Sequence, residues 1–137
     1  MSDLIRGTRI AFCAIFLSSF GFAADAFDFD GAWTGDAANC SKVFVKRHNR
    51  LLITRNSDSF GGGFVVNGNL IRGPFLTCKI DKRNQDGAVL NLLASCTSMI
   101  APLSPMQFTV RFENDDKITR IFSSFPELAT SYERCKF

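Results

Sequence analysis

Phe75-Leu-Thr-Cys-Lys-Ile-Asp-Lys-Arg83, Asn84-Gln-Asp-Gly87 and Ala88-Val-Leu-Asn-Leu-Leu-Ala-Ser-Cys96 form the stretch that decides the fold. Two apolar runs flank a turn containing Asp86-Gly87, a strong hairpin signal. Leu76, Cys78 and Ile80 share one face of the first run, and Thr77, Lys79 and Asp81 the other. Leu90, Leu92, Ala94 and Cys96 share a face of the second. Setting Cys78 opposite Cys96 puts Ile80 opposite Ala94 and Lys82 opposite Leu92. The register that buries the apolar residues therefore also joins the two sulfurs.

Outward from this hairpin, the pattern stays that of short strands. Phe27–Gly35 reads as an opening strand, followed by a loop or single helical turn at Asp36–Cys40. Lys42–Arg47 alternates, His48-Asn49-Arg50 can turn, and Leu51–Arg55 returns. Phe64–Val66 and Leu70–Arg72 flank an Asn67-Gly68 turn, another hairpin signal. Downstream, Met106, Phe108, Val110 and Phe112 alternate with Gln107, Thr109 and Arg111. Asn114-Asp-Asp116 then turns into Lys117–Phe122, and Thr130–Lys136 is the last strand. No long stretch of helical period interrupts the series. The expectation is an all-β chain: an antiparallel up-and-down meander of about eight short strands, closed or nearly closed into a barrel.

The amino terminus places this domain outside the cytoplasm. Arg6 and Arg9 precede an apolar run from Ile10 to Phe22, and Ala23, Ala24 and Ala26 follow. That arrangement reads as a secretory signal peptide, its apolar core too short for a membrane span of about 20 apolar residues; an N-terminal anchor that stays attached is the alternative. Cuts after Ala23 and after Ala26 both satisfy the small-x-small rule; the second, preferred here, makes residues 1–26 the signal and 27–137 the mature domain. Removing 26 residues from 137 leaves 111, enough for one domain with a real core. Of 16 basic and 13 acidic groups, 14 and 11 remain, and the net charge stays at +3. So mild a balance argues for neither nucleic acid nor an anionic membrane. The expected location is the periplasm or the extracellular space.

Excluding Cys13, inside the signal, leaves Cys40, Cys78, Cys96 and Cys135. Four cysteines in an exported chain read as two disulfides. The hairpin selects Cys78–Cys96, and elimination leaves Cys40–Cys135. A four-thiolate zinc site is the alternative, but the spacings lack the close pairs such sites use.

Gly31-Ala32-Trp33 resembles the Gly-x-Trp motif that opens the first strand of the calycins: lipocalins, avidins and the small bacterial metalloprotease inhibitors. The resemblance implies an up-and-down barrel plugged at one end by Trp33, with a basic side chain from the chain's end, Arg134, packed over it. No ligand-contacting residue carries across. A Trp in a glycine-flanked opening strand is also a sound core plug in any small β protein.

Residues that could carry chemistry are scattered. His48 is the only histidine and sits in the basic run Lys46–Arg50, the place of a solvated turn residue. Asp28 and Asp30 alternate on one strand face without neighbours that name a reaction. Gly61-Gly-Gly63 lacks the Lys-Ser/Thr of a phosphate loop. No catalytic residue, metal site or cofactor is assigned. Two surfaces remain. Lys42, Lys46, Arg47, Arg50 and Arg55 form a basic patch, read either as an anionic partner's site or as the wet face of a hairpin. Met99-Ile-Ala-Pro-Leu-Ser-Pro-Met106, with Met99, Ile100, Leu103 and Met106, is read as an interaction loop or as a lid folded over a barrel end.

These readings exclude more than they assign. They favour a non-catalytic exported module that binds an envelope or extracellular protein, an inhibitor of a secreted hydrolase being one form. The alternative is a binder of a small apolar ligand inside the barrel, for which eleven mature phenylalanines supply either a solid core or a cavity lining. N-terminal sequencing of the exported product is expected to begin at Phe27; a product beginning at Met1 would remove the compartment argument.

Overall fold

Short alternating runs separated by turns give ten strands in the computed structural model, which describes residues 26–103 and 105–137. They are β1 (Gly31–Thr34), β2 (Phe44–Arg47), β3 (Arg50–Ile53), β4 (Gly63–Asn67), β5 (Leu70–Arg72), β6 (Leu76–Asp86), β7 (Val89–Ser98), β8 (Met106–Asn114), β9 (Lys117–Ile121) and β10 (Thr130–Cys135). A single turn of α-helix, α1 (Cys40–Val43), precedes β2. The export signal lies outside the described residues.

Eight of these strands close a barrel in the order β1-β10-β9-β8-β7-β6-β5-β4, every neighbouring pair antiparallel. The meander is interrupted once: β2 and β3 form a separate two-stranded sheet outside the barrel, so β1 pairs directly with β4. Trp33, Val66, Ile80, Leu90, Leu92, Val110, Phe112 and Ile118 fill the interior with Phe29. On the outer wall, Val43 and Phe44 pack over Ala32, Val65 and Cys135, a second small core that holds the hairpin down.

Gly63 permits this junction. A Cβ there would come within 2.5 Å of the Trp33 carbonyl oxygen and 2.7 Å of the Phe44 ring. Only a residue without Cβ lets the excursion return to the barrel beneath α1 and β2.

The central hairpin forms with Cys78 opposite Cys96 and Ile80 opposite Ala94. Past Ile80 the expected register fails: a bulge at Asp81 sets Lys82 opposite Leu93 and Arg83 opposite Leu92. The physical reason is a hydrogen bond: the bulge sets Arg83 in place of Lys82 on the Leu92 side, where its exposed guanidinium donates to the Gly68 carbonyl at 2.9 Å, while Lys82 moves to the Leu93 side. The strand also runs further than the turn signal implied, through Asn84–Asp86, to a two-residue turn at Gly87-Ala88. The opening strand is shorter than expected: residues before Gly31 enter as irregular chain, with Phe27 stacked on Phe112 at 4.8 Å.

Both disulfides form as Cys78–Cys96 and Cys40–Cys135, with sequence separations of 18 and 95. In the chain-entropy model the longer closure stabilises by about 4–5 kcal/mol and the shorter by about 3. Urea unfolding of the double variant Cys40→Ala with Cys135→Ala is therefore expected to show a larger loss than Cys78→Ala with Cys96→Ala. The reverse order would mean that native packing, rather than chain closure, dominates.

Candidate functional site

The barrel is blocked at one end. Trp33 is fully buried and its indole N–H donates to the Phe29 carbonyl at 3.0 Å. Arg134, its cross-strand partner, lies 4.3 Å from the centre of the Trp33 ring. The guanidinium donates to the carbonyls of Asp30, of Asp28 at 2.7 Å and of Asp115 at 2.9 Å. Gly31 makes room for it: with φ at +132°, a Cβ there would stand 2.8 Å from Arg134 Nη1. Asp28 and Asp30 are structural here. The Asp30 carboxylate accepts from the Gly68 amide at 3.0 Å, and the Asp28 carboxylate from the Asp30 amide at 2.9 Å.

Away from this plug, the bore holds a cavity of about 120 Å³ lined mainly by Phe29, Phe64, Ile71, Leu92, Phe108 and Tyr132. Arg120 borders it, stacked 4.8 Å from the Phe108 ring and 4.5 Å from the Phe122 ring. Burial lowers its pKa from the ordinary arginine value, and Tyr132 opposes the shift. The guanidinium still carries its charge at neutral pH. Among the described residues, no carboxylate pairs with it. Sequence reading passed over Arg120; the signal was alternation, which sets it on the face of Ile118, opposite Val110 and Thr130 and diagonal to Phe108 and Tyr132.

The outside carries the larger apolar feature. Met99 is 81% and Ile100 95% exposed, so the segment after β7 is a surface loop and not a lid. It is nonetheless ordered by its own hydrogen bonds. The Ala101 amide donates to Ser98 Oγ at 3.1 Å, the Ser98 amide to the Ala101 carbonyl at 2.9 Å, and the Leu103 amide to the Cys96 carbonyl at 2.8 Å. Met106 does not belong to this loop: it opens β8, half-buried against the Cys78–Cys96 bridge, because alternation turns it inward with Phe108.

Met99 borders a groove of about 500 Å³ whose other walls include Leu52, Arg55, Arg72, Pro74 and Phe75. Leu52 and Phe75 are exposed. The five basic residues named from the sequence separate here. Lys46, Arg47 and Arg50 stand at the β2–β3 tip, Arg47 opposite Arg50. Lys42 sits on α1 with its ammonium 5.0 Å from the Phe60 ring, and Arg55 lines the groove. His48 is exposed in the tip turn itself, with φ at +49° and Asn49 at +59°, the pair of left-handed residues a tight hairpin turn needs.

Replacing Arg134 by Met should keep the apolar stem over Trp33 while stranding the carbonyls it caps. A loss of about 2–3 kcal/mol is expected for hydrogen bonds to a charged group in this setting. Urea unfolding followed by Trp33 fluorescence measures it; an unchanged midpoint would show that the cap is dispensable. Compared with known proteins, the chain matches no family model, no curated protein and no solved structure.

Proposed function

We propose that the chain is a non-catalytic exported module that binds another envelope or extracellular protein, inhibition of a secreted hydrolase being one form of such binding. The observation that carries this reading is the ordered loop holding Met99 and Ile100 in solvent. A loop backbone already tied by hydrogen bonds has less entropy to lose on docking than a free one. With Phe75 and Leu52 nearby they make the kind of apolar patch that marks interaction sites. Two disulfides suit an oxidising compartment, and no described helix is long and apolar enough to cross a membrane. The Trp33–Arg134 pair supports a calycin-like reading of the barrel. Capture by the exported chain of one dominant protein should be lost when Met99→Asp and Ile100→Asp are combined, with the unfolding midpoint unchanged. Capture that survives both substitutions would sink the loop's role.

The second reading, a small ligand in the bore, is favoured by Arg120 at the cavity's edge. A cavity of about 120 Å³ is benzene-sized and well below the roughly 300–1,000 Å³ of drug-sized sites. The ligand it admits is therefore a small aromatic or branched anion. Benzoate is expected to shift the Ile71 and Leu92 methyl resonances, and Arg120→Leu to abolish the effect; benzoate leaving both methyls unmoved would set this reading aside.

A further inference from the structure

We propose that the groove between β3 and the Phe75 and Met99 loops receives an extended acidic segment of the partner protein, which pairs with β3 as a third strand. The proposal rests on the protein-binding reading above and names the chemistry of the segment recognised.

The first observation is an open edge. The barrel is closed, and the β2–β3 sheet has no third strand. The Thr54 amide donates to the Val43 carbonyl at 2.9 Å, so the main-chain groups of Thr54 face the β2 side. Antiparallel alternation then turns the N–H and C=O groups of Leu51 and Ile53 the other way. Leu51, Leu52 and Ile53 all line the groove. Of the sheet's two edges, β2 carries Lys46 and Arg47, the charged residues that discourage strand addition. β3 carries one such residue, Arg50 at its start by the tip, and then an unbroken apolar run, Leu51-Leu52-Ile53, the template on which an extended peptide adds.

The second observation is charge. Arg55 and Arg72 both line the groove, and no Asp or Glu does. Among the described residues, neither forms an ion pair. Two guanidinium groups flanking free main-chain donors and acceptors match a strand that carries carboxylates. The third observation is the walls. Val65, Phe75 and Met99 supply apolar surface for the segment's uncharged side chains. The four residues of β3 span about 13 Å at about 3.3 Å per residue, so the recognised core is four or five residues long.

The test uses the exported chain labelled with nitrogen-15 and the capped peptide acetyl-Glu-Val-Thr-Val-Glu-amide as probe. Saturable binding is expected, with the Leu51 and Ile53 amides gaining about tenfold exchange protection. The Leu52 amide, which faces β2, should stay unchanged. A peptide with Lys in place of Glu, and one N-methylated at both Val residues, should each bind at least about tenfold more weakly. Arg55→Glu with Arg72→Glu should reverse the preference between the Glu and Lys peptides, Trp33 fluorescence confirming an intact barrel. Absence of binding, binding without protection at Leu51 and Ile53, or equal binding of the Lys peptide would each overturn the proposal. Partner capture that depends on Met99 and Ile100 would then still uphold protein binding. Strand addition at β3 with capture indifferent to those two residues would keep this site and discard the loop.

Discussion

The guanidinium of Arg134 lying on Trp33 is the contact through which the two ends of the described domain hold each other. A cation over an indole in a water-poor setting is worth more than the same pair at the surface. Arg134 adds to it by capping the carbonyls of Asp28 and Asp30, which the irregular entry chain leaves without strand partners. Asp116 stands 3.7 Å from the guanidinium on its outer side and 2.8 Å from the Lys136 ammonium. The next residue, Cys135, points to the opposite face because strand side chains alternate, and there it is bonded to Cys40. Closure is thus secured on both faces of one strand: by cation, ring and carbonyls within, and by a covalent bond without.

That closure explains how the chain can spare a hairpin. A barrel whose first and last strands are joined does not need β2 and β3 in its wall. They leave between β1 and β4 and pack Val43 and Phe44 over the outer face, beside the disulfide. The excursion creates two things a plain eight-stranded meander lacks: a second apolar core and an unpaired strand edge. The groove beside β3 exists because a two-stranded sheet laid on a barrel cannot merge with it.

The parts of this architecture legible in the sequence are those set by local alternation and by pairs. Leu76–Ile80 and Leu90–Cys96 declare their faces, and parity alone joins Cys78 to Cys96. The bulge at Asp81 was not legible, since period-two alternation carries no mark where one residue is to be skipped, and a cation stands opposite Leu92 in either register. Nor could alternation say that β2 and β3 lie outside the barrel, because a hairpin has the same pattern wherever it docks. What decides is the approach of Gly63 to Trp33 and Phe44, three residues far apart in sequence. The loop at Met99–Leu103 was ambiguous for a related reason. Apolar residues between prolines suit a lid and a surface equally, and exposure follows from hydrogen bonds to Ser98 and Cys96 that composition does not encode.

The interior and the exterior differ in how much binding energy each can supply. Aromatic side chains from several strands converge in the bore, where Phe64 meets Tyr132 edge-on at 5.0 Å and Phe29 meets Phe112 at 6.2 Å. Close-packed interiors resist expansion, so a ligand much larger than the existing cavity would have to displace rings already in contact. The outer wall has the opposite character. Its apolar side chains are in water, so covering them is favourable by about 25 cal/mol per Å² before the cost of association, and it breaks no internal contact. The loop that presents Met99 and Ile100 is tied back to Ser98 and Cys96 by its own hydrogen bonds. A stapled scaffold with only a small cavity in its bore and an uncovered apolar rim offers more contact area outside than inside.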